Sequence, residues 1–179
     1  MLGRPAGNGT RNTGEGDCLM MMRLGDLLVE RGVLSAAQRD AVLEQQRMSG
    51  RPFGLLSEEM HGVDPRDVEL AWAAQYAGMA ERIDVSEVSP TRDVLAVIET
   101  RQAWQFGLLP VRFEDGELIL ATTEDRLARA LRFAGWRISF PCRFAIASED
   151  PLMEAIERHL PMAGLNARSM RTLRLAVDL

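Results

Sequence analysis

Lysine is missing from this 179-residue chain: the 21 basic residues are all arginine. Without lysine there can be no phosphate-binding loop of the G-x-x-x-x-G-K-[ST] kind and no lysine Schiff base. Gene base composition is the plainer explanation of the arginine bias. Cysteine is also scarce. Cys18 and Cys142 are the only two, far apart and outside any C-x-x-C, so neither a disulfide framework nor a zinc pattern follows. The two histidines, His61 and His159, are too isolated for a metal site, and no cofactor is expected. No run of about 18 apolar residues offers a membrane span. The N-terminus lacks a signal peptide's apolar region, so the expected compartment is the cytoplasm. A net charge of −5 speaks against a general nucleic-acid binder.

What is present suits a folded chain. Hydrophobic residues make up 46% and charged residues 26%, enough for one ordinary domain or two small ones around a buried core. Residues 1–22 open with "MLGRPAGNGTRNTGEGDCL", rich in Gly, Asn and Thr, and read as a disordered leader. Met20, Met21 and Met22 are alternative starts within it. From Arg23 the period is helical, with Leu24, Leu27 and Leu28 on one face and Gly32 placed to end the helix. Ser35 with Gln38 forms a capping-box pattern ahead of a second helix that ends at Ser49-Gly50. Gly25 and Gly54 stand 29 residues apart, and the same offset relates Ser35 to Asp64, Leu43 to Trp72 and Gln46 to Gln75. With Asp64-Pro65 as another helix start, residues 23–78 read as two helix-turn-helix repeats.

Beyond Gly78 the texture changes. "RIDVSEV" reads as a short strand or extended link. Ser89-Pro90 opens a helix that residues 101–106 continue. "LLPVRFEDGELILATT" is a hairpin about Asp115-Gly116. A helix from Asp125 to Ala134, ending at Gly135, precedes two candidate strands, "WRISF" and "RFAIA". Ser148 caps a last helix over 149–160. The predicted class is α+β: the helical repeat unit, then a small α+β unit over 79–161 with a mainly antiparallel sheet of three to four strands, and a tail or linker over 162–179.

The stretch "RLGDLLVERGVLSAAQRDAVLEQQ" resembles the repeated motif R-L-G-x-x-L-x-x-x-G…L-x-x-Q found in the N-terminal domain of type II secretion and type IV pilus assembly ATPases, the MshEN or GspE N-terminal type. The later "LLPVRFEDGELILATTEDRLARALRFAGWR" resembles that domain's strand, hairpin and helix, and "SEDPLMEAIERHLP" its closing helix, so the likeness spans residues 23–161. In that family the domain precedes a hexameric motor. This chain has no motor motif, so the resemblance implies either a stand-alone adaptor or a piece of something longer. It implies a non-catalytic module that docks a motor ATPase or an inner-membrane platform protein.

Some members use the paired motifs to bind cyclic di-GMP, which makes such binding the alternative function. The resemblance assigns Arg23, Leu24, Gly25, Leu28, Leu43 and Gln46 to one half-site, Gly54 and Gln75 to the other, and Asp125 to an acidic turn facing them. Chemically, Arg23 offers a planar fork for phosphate or a guanine edge, Gly25 an approachable backbone, the leucines apolar faces and the glutamines orienting hydrogen bonds. Each has a plainer reading as well. Arg23 is a solvated first-turn residue, Gly25 a helix crossing, the leucines core, the glutamines helix bridges and Asp125 a helix cap. The second copy departs at Pro52, Phe53, Ser57 and His61, and the first at Arg39. Each charged hydrogen bond lost costs roughly 1–3 kcal/mol, so the ligand is expected not to bind at full strength. His61 reads as a surface loop residue. Trp72, Trp104 and Trp136 read as core or interface anchors, and an exposed one would mark a partner site.

Overall fold

The computed structural model describes residues 22–169. The expected leader up to Met21, with Cys18, and the tail from 170 onward lie outside the described residues. Four helices come first: α1 (Leu24–Glu30), α2 (Ala36–Ser49), α3 (Phe53–His61) and α4 (Pro65–Met79). The 29-residue offset survives folding, since it carries the start of α1 onto that of α3 and the start of α2 onto that of α4. Local chemistry sets these starts. The Ser35 hydroxyl accepts from the Gln38 amide while the Gln38 side chain accepts from the Ser35 amide, completing the capping box. The Asp64 carboxylate accepts from the Arg66 amide ahead of Pro65. Helix α3 outruns α1 by two residues and closes on Gly62 at φ 66°. That is why the repeat's second glycine stands one place late. His61, expected in a surface loop, is instead the last residue of α3. It is half-buried, and its Nε2 is buried with no hydrogen-bond partner.

The remaining elements are α5 (Arg92–Leu95), α6 (Thr100–Phe106), β1 (Leu109–Glu114), β2 (Glu117–Thr122), a 3-10 turn over Glu124–Arg126, α7 (Leu127–Arg137), β3 (Cys142–Ile146) and α8 (Glu149–His159). The hairpin forms as predicted. Glu114 faces Glu117 across a two-residue turn with Asp115 at φ 51° and Gly116 at φ 83°, the mirror-image turn that matches strand twist. Three expectations are corrected. The helix from residue 89 to 106 is two helices, α5 and α6. Gly135 does not end α7, which runs on to Arg137 and is closed by the Ile138 amide on Ala134 O at 3.0 Å. "WRISF" is therefore not a strand: its first two residues finish a helix and the rest is irregular. Ser148 does occupy the cap position of α8, but its side chain makes no capping hydrogen bond.

The sheet has the order β1-β2-β3, with β1/β2 antiparallel and β2/β3 parallel. The parallel pair follows from α7, because only a crossover can return the chain to run alongside β2. The outer edge of β3 is covered rather than left open. Residues 81–83 bond to Ile146 at 2.8 and 2.9 Å, and the Phe144 amide donates to the Tyr76 hydroxyl at 3.0 Å.

Two apolar cores result. A smaller one holds Leu28, Leu34, Val42, Phe53, Leu56, Val63 and Ala71. A larger one joins the sheet to α6, α7 and α8 and takes in Ala73 and Ala77 of α4. Trp104 lies in the larger core and donates its indole N–H to Leu160 O at 2.8 Å. Within the expected tail, Met162, Leu165 and Ala167 pack on this core, and the Ala167 amide donates to Glu157.

Removing only the Tyr76 hydroxyl tests the edge closure. Tyr76→Phe should cost about 1 kcal/mol by leaving the Phe144 amide without its acceptor. Thermal unfolding should report the loss, and hydrogen exchange should show faster exchange at Phe144 with α1 to α3 unaffected.

Candidate functional site

The repeat places Arg23 and Pro52 at equivalent points, as the cap residues of α1 and α3, both in extended backbone. Only the first carries a cation. The Arg23 side chain is exposed and makes no ion pair or hydrogen bond among the described residues, while its carbonyl accepts from the Asp26 and Leu27 amides at 2.9 and 3.1 Å.

The two glycines are closed by the chain itself. A Cβ on Gly25 would lie 2.9 Å from Cζ of Phe53 and 3.0 Å from Cγ of Arg39. A Cβ on Gly54 would lie 2.6 Å from Cγ1 of Val68. Arg39 and Val68 are themselves 29 residues apart, so each repeat uses its glycine to seat its first helix on the same position of its second. Between them the two glycines therefore make a packing motif, with α1 also resting on Phe53. Arg39, the first copy's departure from pattern, spends its guanidinium on Asp26 at 2.9 Å and Asp40 at 2.7 Å.

Leu28 is fully buried, and Leu24 and Leu43 are half-buried against the smaller core. Ser57 takes Leu28's place in the second copy. It is buried, and its hydroxyl donates to Phe53 O at 2.8 Å, so the polar replacement leaves no unpaired group. Gln46 on α2 and Gln75 on α4 are half-buried, and neither side chain hydrogen-bonds to another described residue. Among the described residues they neither cap nor bridge a helix by a side-chain hydrogen bond. Asp125 is exposed within the 3-10 turn and accepts from the Thr123 hydroxyl at 2.6 Å, so it does not cap α7. It lines a cleft of about 380 Å³ with Arg31, Leu70, Ala74 and Glu124. Of the two ends of α1, it is Arg31 at its close and not Arg23 at its start that lines this cleft, while the acidic turn itself pairs with Arg82 through Glu124 at 3.4 Å.

Burial, aided by the Glu117 charge, pushes the Cys142 thiol above its ordinary range, the opposite of a thiolate nucleophile. Among the described residues no three His, Cys, Asp or Glu side chains gather as a metal-binding group, and no helix is long and apolar enough to cross a membrane. The feature that pattern reading underweighted is aromatic exposure. Trp72 is 47% exposed and Trp136 85%, leaving Trp104 alone of the three in the core. The signal was available: Trp136 follows a glycine and stands in an arginine-rich stretch, a poor address for a core residue.

Residues 63–164, more than half of the chain, match the MshEN domain. The match begins at Val63 and so takes in α4 and the α+β part, whereas both glycine motifs precede it. The type IV pilus assembly ATPase PilB of Myxococcus xanthus (strain DK1622) is 24% identical over 145 residues, covering 81% of this chain. The chain spans 25% of that relative's length. Among solved structures, MshE with cdg is 25% identical, with a TM-score of 0.41 over 77% of this chain and 99% of that one. The N-terminal domain of XpsE is 22% identical, with a TM-score of 0.41 over 76% and 92%.

The packing role of the glycines is testable by substitution. Gly54→Ala should destabilise the chain by about 1–3 kcal/mol through overpacking against Val68, as read by chemical denaturation. Adding Val68→Ala should recover part of that loss, which a ligand-only role for Gly54 would not produce.

Proposed function

Because the chain belongs to the MshEN domain family, we propose that it is a non-catalytic interaction module that works in the cytoplasm and docks a motor ATPase or an inner-membrane platform protein of a type II secretion or type IV pilus machine. In this reading residues 23–78 and 79–161 are its two units. The observation that carries it is the closure of both motif glycines by Phe53, Arg39 and Val68. The repeat then serves to build a rigid helical platform, and the surfaces left for function are those a protein partner would meet. The likeness to a pilus assembly ATPase supports looking for the partner within that machinery.

A second reading is favoured by the exposed and unpaired Arg23: cyclic di-GMP binding through Arg23, Leu24, Gly25, Leu28, Leu43 and Gln46 with Gly54, Gln75 and Asp125. It would require Phe53 and Arg39 to leave Gly25, and a second half-site working with Pro52 in place of an arginine.

Isothermal titration of the full chain with cyclic di-GMP separates the two. The docking reading expects no heat. A micromolar isotherm that Arg23→Ala abolishes would establish the second reading instead. Affinity purification of the tagged chain from its own organism should recover a secretion or pilus motor ATPase or platform protein, and recovery of neither would refute the docking role.

A further inference from the structure

Residues 126–148 hold five arginines and no aspartate or glutamate, in a chain whose net charge is −5. Three of the five form ion pairs with carboxylates outside the stretch: Arg126 with Glu149, Arg132 with Glu69 and Arg143 with Glu114. Arg129 lies over the Phe106 ring, 5.0 Å from its centroid. Arg137, the last residue of α7, makes no ion pair among the described residues. It lines a cleft of about 760 Å³ together with Arg92 from α5, which likewise makes no ion pair among the described residues, and His159 from the end of α8. Glu99 is the one carboxylate among the lining residues. Directly before Arg137 comes Trp136, 85% exposed. Phe140, 49% exposed, follows shortly and meets the 43% exposed Phe113 edge-on at 5.2 Å.

We propose that this end of α7, with the Arg92–Arg137–His159 cleft, is the surface on which the docking partner seats an acidic segment carrying apolar side chains. The inference rests on the docking reading given above. Two guanidinium forks from separate elements suit carboxylates, which they can bind in bidentate fashion. Tryptophan and arginine are the residues that concentrate binding energy at protein interfaces. The acidic remainder of the chain repels an acidic partner, so this basic patch also sets the orientation of approach. A concave cleft favours a protruding peptide segment over a flat bilayer, which could reach its rim but not its lining.

The test measures fluorescence anisotropy of a labelled synthetic peptide built of Glu, Asp and Leu, titrated with the full chain. Binding should weaken as salt rises. Both the double variant Arg92→Glu/Arg137→Glu and Trp136→Ala should lower affinity at least about tenfold with unchanged thermal unfolding, and a peptide of Arg and Leu should bind the double variant better than the parent. Equal affinity across parent and variants would overturn the proposal. So would phosphatidylserine vesicles that bind the chain with the same variant sensitivity while the peptide does not bind. If the double variant still recovers the secretion or pilus component, docking lies elsewhere: this surface falls and the docking reading stands. If the parent recovers none yet the peptide results hold, the docking reading falls and the acid-binding surface stands.

Discussion

Helix α4 belongs to two cores at once, and the rest of the molecule depends on that sharing. Ala71 is buried in the helical core, while Ala73 and Ala77 are buried against the sheet. Small side chains are what allow one helix to be approached from two sides. Further along, Tyr76 reaches the outer strand and closes its edge at Phe144. Glu69 on α4 meets Arg132 on α7, adding a charged tie between the two parts. An exposed pair of this kind contributes little by itself, so the shared apolar helix is the stronger link.

The same economy of small residues explains the repeat. Gly25 and Gly54 bring helices close enough that Phe53 and Val68 fill the space a Cβ would need. Glycine in such a repeat permits close approach, whether by a ligand or by another helix. Here the approach is made by neighbouring helices. The second copy differs from the first in ways that fit this: Pro52 occupies the cap position, the Ser57 hydroxyl donates to the backbone, and Gly62 closes the helix, with no cationic fork at its start.

Electrostatics divide the surface unevenly. The arginines of α7 and its continuation are mostly absorbed by glutamates from other elements, and what they leave over gathers at the helix's C-terminal end beside exposed aromatics. Cations there also complement the helix dipole, so part of their placement serves α7 itself.

The amino-acid sequence by itself determined the starts of α2 and α4, the 29-residue repeat, the Asp115-Gly116 hairpin and the family resemblance. The helix starts and the hairpin rest on contacts between residues a few positions apart, where capping and turn chemistry act alone. It also bounded function, since a chain without lysine has no phosphate-binding loop. Only the tertiary structure decided that β3 runs parallel to β2, that "WRISF" completes a helix, and that Arg31 rather than Arg23 reaches Asp125's cleft. The same holds for the closure of Gly25 and the exposure of Trp136. The physical reason is common to all five. Each depends on which distant segment arrives at a given face, and local propensity carries no record of that arrival.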